Sequence, residues 1–175
     1  LPPFLAGQYI SLLVETGGIL TNRPYSISSP PNQAGFWDIT VRRVPSGLVS
    51  NFLLDHVKKG EILHSSGPCG NFYHNPLFHD KSIVLIAGGA GITPFMSMIR
   101  EIAECGLDRH VHLFFGSKTL EEALFHHELT SLSARFENIQ YLPVIEKPSE
   151  DYPGTVGLIT GKLIQEKLGD LSGKT

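Results

Sequence analysis

The sequence predicts two domains: a small antiparallel β-barrel over residues 1–78 and an α/β domain with a parallel, doubly wound sheet over residues 79–175. Short segments of alternating polarity, separated by Gly and Pro, fill the first part, as in barrels and sandwiches. Continuous apolar runs alternate with helical patterns in the second part, as in parallel sheets covered by helices. We place the boundary in YHNPLFHDK, near residue 78, where Pro76 and polar residues separate the two patterns.

The first domain is predicted to consist mainly of strands with a single helix. Alternating segments at 7–15 (GQYISLLVE) and 36–44 (FWDITVRRV) predict strands, and TGG predicts a turn after the first of them. A helix is predicted over residues 47–60, GLVSNFLLDHVKKG. Its last turn would hold Lys58 and Lys59, which suit the negative C-terminal end of a helix.

The second domain is predicted to alternate strands with helices. Its first strand, SIVLIAGG, is a continuous apolar run typical of a strand buried on both faces. A glycine turn leads from this strand into the helix ITPFMSMIREIAEC, whose apolar residues form one stripe. The later elements are the strand HVHLFFG, a helix over residues 121–136, the strand IQYLPVIE and the short helix GKLIQEKLG. This alternation predicts a parallel sheet.

Composition and charge argue against several classes of protein. The chain has 175 residues, 41% of them hydrophobic, and can bury a core of ordinary size. Its 14 basic and 17 acidic residues give a net charge of -3 without a basic block, so we expect no nucleic-acid partner. No apolar run approaches the roughly 20 residues of a membrane span, and no charged leader precedes one. A cytoplasmic location is therefore expected.

The cysteines and histidines do not predict a metal site. Cys69 and Cys105 are too few for the four thiolates of an iron-sulfur cluster or a structural zinc site. The side chains of His126 and His127 would point in different directions, because they are adjacent on a predicted helix. His110 and His112 could share a strand face but have no obvious third ligand. We expect no metal.

The segment AGGAGITP predicts a phosphate site. A strand ends in Gly88, Gly89, Ala90 and Gly91, and a helix follows at once, so backbone N–H groups and the helix dipole point at one place. The segment matches neither G-x-G-x-x-G nor a Walker loop. The alternative is a tight turn that needs glycine dihedral angles.

A second helix start, in PSGLVS, predicts another anion site. Gly47 opens the helix, and Arg42 and Arg43 precede it on a predicted strand. The alternative is that Ser46 or Ser50 caps the helix. The free donors of this start would be the amides of Leu48, Val49 and Ser50.

The segment RPYSISSP places a cation, an aromatic ring and a hydroxyl together. Arg23 and Tyr25 share one face of a strand, while Ser26 points to the other. A guanidinium suits a phosphate, a phenol stacks on a flat ring, and a hydroxyl or amide bonds a ring nitrogen. A flavin nucleotide offers all three partners. The alternative is an edge strand with an exposed arginine and a core tyrosine.

Six segments together resemble one family. GQYI, RPYSISS, GLVSNFL, GPCGNFY, AGGAGITP and FFGS…FHHEL occur in the order and approximate spacing of the ferredoxin-NADP reductase superfamily. The chain is most similar to its NAD(P)H:flavin electron-transfer modules, which are attached to oxygenases, flavohaemoglobins and iron-sulfur proteins. This resemblance implies a flavin-binding barrel followed by a Rossmann-like domain for the pyridine nucleotide.

The resemblance also implies site residues. Ser26, beside flavin N5, and Thr93, between nicotinamide and flavin, would be the catalytic pair. The flavin would be held by Arg23, Pro24, Tyr25, Ser26, Thr40, Val41, Arg42, Gly47, Leu48, Val49, Ser50 and Thr93. The NAD(P) cofactor would be held by Gly88, Gly89, Ala90, Gly91, Ser117 and Lys118.

The function that the resemblance implies is hydride transfer from NAD(P)H to the flavin, followed by single-electron transfer to an iron-sulfur, haem or other acceptor. FAD is favoured over FMN because the helix start at Gly47 suits a pyrophosphate. NADH is favoured over NADPH, since Lys118 is one cation followed by Glu121 and Glu122.

Two alternatives stay open at this point. One is a non-catalytic flavin- or nucleotide-binding subunit that acts in assembly or sensing. The other is nucleotide binding at the glycine turn without a flavin. Members of the family carry strands before GQY and a final strand with a Cys-Gly-Pro motif after GKL, and neither is present here. We therefore expect open barrel edges and one exposed side of the parallel sheet, in a chain that either is truncated at both ends or pairs with other material.

Overall fold

The first domain is built on an antiparallel sheet of three strands. The computed structural model describes all residues from 1 to 175. Strand β1 (Tyr9–Thr16) lies in the centre, between β2 (Ile19–Ser26) and the short β3 (His64–Ser65). Helix α1 (Leu48–Asp55) packs against β1. Buried side chains of β1 and α1, together with Phe4 and Ile27, form the first core, which contains Phe4, Ile10, Leu12, Val14, Ile27 and Val49.

The second domain is built on a parallel sheet of four strands. The strand order is β4 (Ser82–Gly88), β5 (His110–Ser117), β6 (Ile139–Ile145) and β7 (Thr155–Val156). Helices α2 (Thr93–Cys105), α3 (His126–Arg135) and α4 (Gly161–Leu168) connect or follow these strands. The antiparallel sheet followed by a parallel sheet confirms the predicted fold class.

The strand predicted over residues 36–44 is wrong in extent. Only Ile39 pairs, in an isolated bridge with Ile27. A serine side chain takes the place of one backbone acceptor in the expected strand pairing. The Asp38 amide donates to Ser29 Oγ at 3.0 Å, and Asp38 O accepts from the Ser28 amide at 2.8 Å. The segment is therefore held beside the sheet by one bridge and by serine contacts.

Two predicted helices are shorter in the structure. Helix α1 ends at Asp55, and the amide of His56 donates the last hydrogen bond of the helix, to Phe52 O at 2.9 Å, so Lys58 and Lys59 lie outside the helix. Helix α3 begins at His126 and not at residue 121, because Phe125 has a left-handed φ of 59°. The predicted cationic last turn of α1 is therefore wrong.

The open edges expected from the sequence are partly covered. The three-stranded sheet leaves β2 at one edge, and most of its residues are exposed. At the outer edge of β4, Thr175 N donates to Ser82 O at 3.0 Å and Val84 N donates to Thr175 O at 2.7 Å. The last residues of the chain thus pair with the beginning of β4 and extend the parallel sheet there. Later residues of β4, such as Ile86, are half exposed.

The second core is larger and is formed mainly by α2 and the parallel sheet. Ile99 of α2 is completely buried in it. We expect Ile99→Ala to lower the free energy of unfolding by about 2–5 kcal/mol, because it removes buried methylenes and leaves a cavity. Urea denaturation would measure the change. Ile62→Ala is the control, since Ile62 is 85% exposed; an equal loss in both variants would contradict the prediction.

No helix is both long and apolar enough to cross a bilayer. No group of three or more His, Cys, Asp or Glu side chains is arranged to hold a metal ion. The cytoplasmic location expected from the sequence stays a prediction.

Candidate functional site

Three separate segments of the chain meet around one open cavity of about 590 Å³. They are the end of β2, the extended segment that leads into α1, and the glycine turn before α2. The cavity therefore lies between the two domains. Predicted site residues in its wall are Arg23, Pro24, Tyr25, Ser26, Thr40, Arg42, Ser50, Ala90 and Thr93.

A second cavity of about 470 Å³ opens at the carboxyl ends of β4, β5 and β6. This is the edge at which parallel α/β sheets bind ligands. Arg42 lines this cavity as well as the first one, so the two cavities adjoin at its side chain. Predicted site residues in this second wall are Arg42, Gly88, Gly89, Ser117 and Lys118.

Near the end of β2, Arg23 and Tyr25 lie on the same face of the strand. Tyr25 pairs with Ile10 and Arg23 pairs with Leu12, and both partners on β1 are buried. Tyr25 is half-buried against the first core, and this burial raises the pKa of its phenol. The Arg23 guanidinium donates to Thr21 Oγ1 at 2.8 Å, so it has donors left for an anion in the cavity.

The start of α1 keeps free amide donors. No side chain caps Gly47, and the helical ladder begins only with Asn51 N donating to Gly47 O at 3.2 Å. The Ser50 hydroxyl instead accepts from the Val44 amide at 3.2 Å, and Ser46 makes no cap. The capping alternative is therefore wrong. Val49 is buried in the first core, which leaves only its backbone for a ligand.

The glycine turn between β4 and α2 forms an open cradle. A Cβ atom at Gly88 or at Gly91 would meet nothing within 4 Å, so the backbone borders free space. A Cβ at Gly89, where φ is +51°, would lie 2.9 Å from Arg42 Nη1. Helix α2 then begins at the buried Thr93, whose hydroxyl donates to Ala90 O at 2.9 Å. This arrangement fits a phosphate group held by backbone amides.

Two carboxylates also line the second cavity. Glu122 Oε2 lies 3.8 Å from Arg42 Nη2, and Glu146 directly follows β6 in the chain. Sequence reasoning missed Glu146, although its place after a parallel strand was an available signal. Glu121, which was expected to act with Glu122, lines a separate cavity beside α3.

Comparison with protein families identifies both domains. Residues 3–74 match the model of the oxidoreductase FAD-binding domain, and residues 85–175 match that of the oxidoreductase NAD-binding domain. The chain belongs to the ferredoxin-NADP reductase superfamily. FAD and a pyridine nucleotide are thus the cofactors of its two domain types, as predicted.

Individual members of the superfamily agree with this assignment. The chain is 32% identical over 169 residues to the anthranilate 1,2-dioxygenase electron transfer component of Acinetobacter baylyi, covering 97% of the chain and 48% of that protein. It is 31% identical over 170 residues to NADH-cytochrome b5 reductase 1 of Dictyostelium discoideum, covering 97% and 59%. The chain thus spans about half the length of these relatives.

Solved structures of the superfamily share the fold. The flavohem-like FAD/NAD-binding domain of nitric oxide dioxygenase from Vibrio cholerae superposes with a TM-score of 0.80 at 26% identity, covering 91% of this chain and 68% of that one. Phthalate dioxygenase reductase gives a TM-score of 0.68 at 25% identity, covering 89% and 58%. The fold of this chain is therefore shared with both of these structures.

Proposed function

We propose that the chain is an NADH-dependent flavoprotein reductase module that passes electrons from NADH through FAD to an acceptor. The observation that carries this proposal is that two adjoining cavities share Arg42. The first reaches the start of α1 at Ser50, and the second reaches the glycine turn at Gly88 and Gly89. The glycine turn borders both cavities, through Gly89 on one side and Ala90 on the other. Two nucleotides bound there would bring their rings together near Thr93.

The first cavity would hold FAD. The Arg23 guanidinium would bind a phosphate, and Tyr25 would stack on the flavin ring system. The free amides at the start of α1 would bind the pyrophosphate, which favours FAD over FMN. Ser26 and Thr93 would lie on either side of the ring system. Bound FAD supplies the chemistry, accepting a hydride and releasing single electrons, whereas these residues hold and orient it.

The second cavity would hold the nicotinamide nucleotide. The backbone of Gly88, Gly89, Ala90 and Gly91 would bind its pyrophosphate, and Ser117 and Lys118 would lie beside the ribose. The Arg42 side chain stands between the cavities and would balance phosphate charge from both nucleotides. No side-chain nucleophile is required of the protein, since orientation of the two rings is the main task.

Cofactor loading and reduction test the proposal. The purified protein, incubated with FAD and freed of excess, is expected to show flavin absorption bands that bleach on anaerobic mixing with NADH. The bleached protein should then reduce a one-electron acceptor such as ferricyanide. A protein that binds FAD but is not reduced by NADH would contradict the proposal and favour a non-catalytic binding subunit. Retention of NADH without any FAD would instead favour plain nucleotide binding.

The physiological acceptor is proposed to be an iron-sulfur or haem group on another domain or chain. The support comes from the relatives, which include an electron transfer component of a dioxygenase and a cytochrome b5 reductase. We also propose a domain boundary near residue 78, because the two family matches end at residue 74 and begin at residue 85.

The carboxylates of the second cavity support a preference for NADH. A 2′-phosphate would meet Glu122 and Glu146 with only Lys118 and the paired Arg42 as cations. We expect Glu122→Gln to raise kcat/KM for NADPH by roughly tenfold, because it removes a like charge and frees Arg42. Steady-state rates with both nucleotides measure the change.

Glu121→Gln is the matched control for this prediction. Glu121 is the neighbouring residue in the chain, but its side chain lines a different cavity. Its substitution should leave the ratio of NADPH to NADH activity unchanged. If both variants gained NADPH activity equally, the effect would come from overall charge and not from the wall of the cavity.

A further inference from the structure

One arginine connects the two domains and a second helix at the same time. Arg100 of α2 donates from Nη1 to Ser28 O of the first domain at 2.7 Å. It also donates from Nε and Nη2 to the two carboxylate oxygens of Glu128 on α3, each at 2.7 Å. Its side chain is only 18% exposed. Such a bidentate, partly buried pair has a well-defined geometry, unlike a surface ion pair.

Arg100 belongs to a polar stripe on one face of α2. Ser97 donates from its hydroxyl to Ser29 O at 2.7 Å, and Glu104 accepts from Asn32 Nδ2 at 2.9 Å. Residues 97, 100 and 104 follow the helical spacing of one face. All three therefore bind the same loop, residues 28–32, which follows β2.

The loop is also fixed on the side of the first domain. Ser28 and Ser29 are both buried, and they exchange hydrogen bonds with the backbone of Asp38. On the other side, the Arg100 guanidinium lies 5.3 Å from the centre of the Phe125 ring, at the start of α3. The stripe thus joins two rigid parts, because neither the loop nor α2 can shift without breaking buried hydrogen bonds.

The contact of Arg100 with Ser28 lies close in sequence to the proposed site in both domains. Ser28 follows Ser26 by two residues, and Arg100 follows Thr93 by two turns of the same helix. Ser26 and Thr93 line the same cavity from opposite domains. A change at Arg100 would therefore be transmitted to the separation of the two walls.

We propose that Arg100, held by Glu128, is a positioning residue that fixes the separation between the end of β2 and the start of α2. The proposal rests on the proposed function in one respect, namely that this separation aligns the nicotinamide with the flavin. Arg100 touches neither cavity wall, so it acts through the loop at 28–32 and through α2. Its role concerns alignment of the rings and not affinity for either cofactor.

The test compares Arg100→Gln with Arg135→Gln, which removes an exposed arginine at the end of α3. We expect Arg100→Gln to lower the limiting rate of flavin reduction at saturating NADH by roughly tenfold or more, since small misplacements of reacting groups are costly. The Kd values for FAD and NADH should change by less than about threefold. Arg100→Lys should recover part of the rate, because an ammonium can donate to some of the same oxygens. Arg135→Gln should behave as the wild type.

A second measurement does not depend on catalysis. Spin labels at Leu20→Cys on β2 and Lys162→Cys on α4, in a background with Cys69 and Cys105 replaced by serine, report the distance between the domains. Both label positions are exposed. We expect a shifted or broader distance distribution for Arg100→Gln and an unchanged one for Arg135→Gln.

The outcomes separate the two proposals. An unchanged distance distribution in Arg100→Gln would overturn the positioning role, as would a normal limiting rate or a loss confined to FAD affinity. A wild-type protein that NADH does not reduce would instead overturn the proposed function. The distance measurement would then still decide whether Arg100 sets the arrangement of the domains.

Discussion

Gly88→Val is expected to weaken NADH binding strongly, and so to slow reduction of the flavin at limiting NADH, while leaving the fold and the bound FAD intact. Gly88 has φ −134° and ψ 128°, which are ordinary strand angles for valine. A Cβ there would meet no atom within 4 Å, so the protein itself has room for the new side chain. That room belongs to the second cavity, where a pyrophosphate would lie against the backbone.

The expected loss is one of nucleotide binding alone. Overlap between the valine and the ligand should cost about 1–3 kcal/mol or more, which corresponds to a roughly 5- to 150-fold or greater increase in the Kd for NADH. The dependence of the flavin reduction rate on NADH concentration would measure this change, and thermal unfolding would show an unchanged or higher Tm. The second effect follows because valine suits a strand better than glycine.

Gly161→Val is the control for this variant. Gly161 also has free space around a built Cβ, but it lies at the start of α4. Normal NADH binding is expected there. If Gly88→Val bound NADH like the wild type, the proposed place of the pyrophosphate would be wrong.

Arg23→Gln is expected to weaken FAD binding strongly. Arg23 faces the first cavity beside Tyr25, and its structural partners are only a neighbouring hydroxyl and a carbonyl of its own strand. Loss of a hydrogen bond to a charged group costs about 1.5–3 kcal/mol, which corresponds to roughly a 10- to 150-fold increase in the Kd for FAD. Quenching of flavin fluorescence during titration of the apoprotein would measure it.

Arg43→Gln is the matched control, because Arg43 lines the same cavity but is already paired. Its guanidinium donates to both carboxylate oxygens of Asp55 at 2.6 and 2.8 Å and to Asn51 Oδ1 at 3.0 Å. This pairing lowers the pKa of the Asp55 carboxyl. The Kd for FAD should therefore change by less than about threefold. Equal weakening in both variants would show that overall positive charge, and not Arg23, attracts the phosphate.

The local features of the chain could be predicted from its residues. The alternation in GQYISLLVE and the apolar run in SIVLIAGG identified the two strands, because the burial pattern of a strand is visible in the order of its apolar residues. The glycine turn and the helix that follows were predicted for the same reason, because glycine and the stripe of ITPFMSMIREIAEC act within a few residues. The order of these elements determined the fold class.

Features that depend on distant residues required the tertiary structure. The strand predicted at 36–44 is almost absent because a serine hydroxyl, nine residues away, takes a backbone donor of the ladder. Helix α3 starts late because Phe125 adopts a left-handed conformation, which periodicity does not reveal. The serine side chain competes with the backbone of the neighbouring strand. No repeat in the sequence records this contact or the conformation of Phe125.

The sequence by itself determined that this protein has a flavin-type sheet followed by a nucleotide-type sheet, with three local segments suited to phosphates and a ring. Only the tertiary structure decided that Arg42 lines two adjoining cavities, that Glu146 lines the second of them, and that Arg100 bonds both domains. The physical reason is that the spacing of apolar residues and the residues of turns determine structure locally, along the chain. Ion pairs and the alignment of two domains depend instead on residues that are far apart in sequence and close in space.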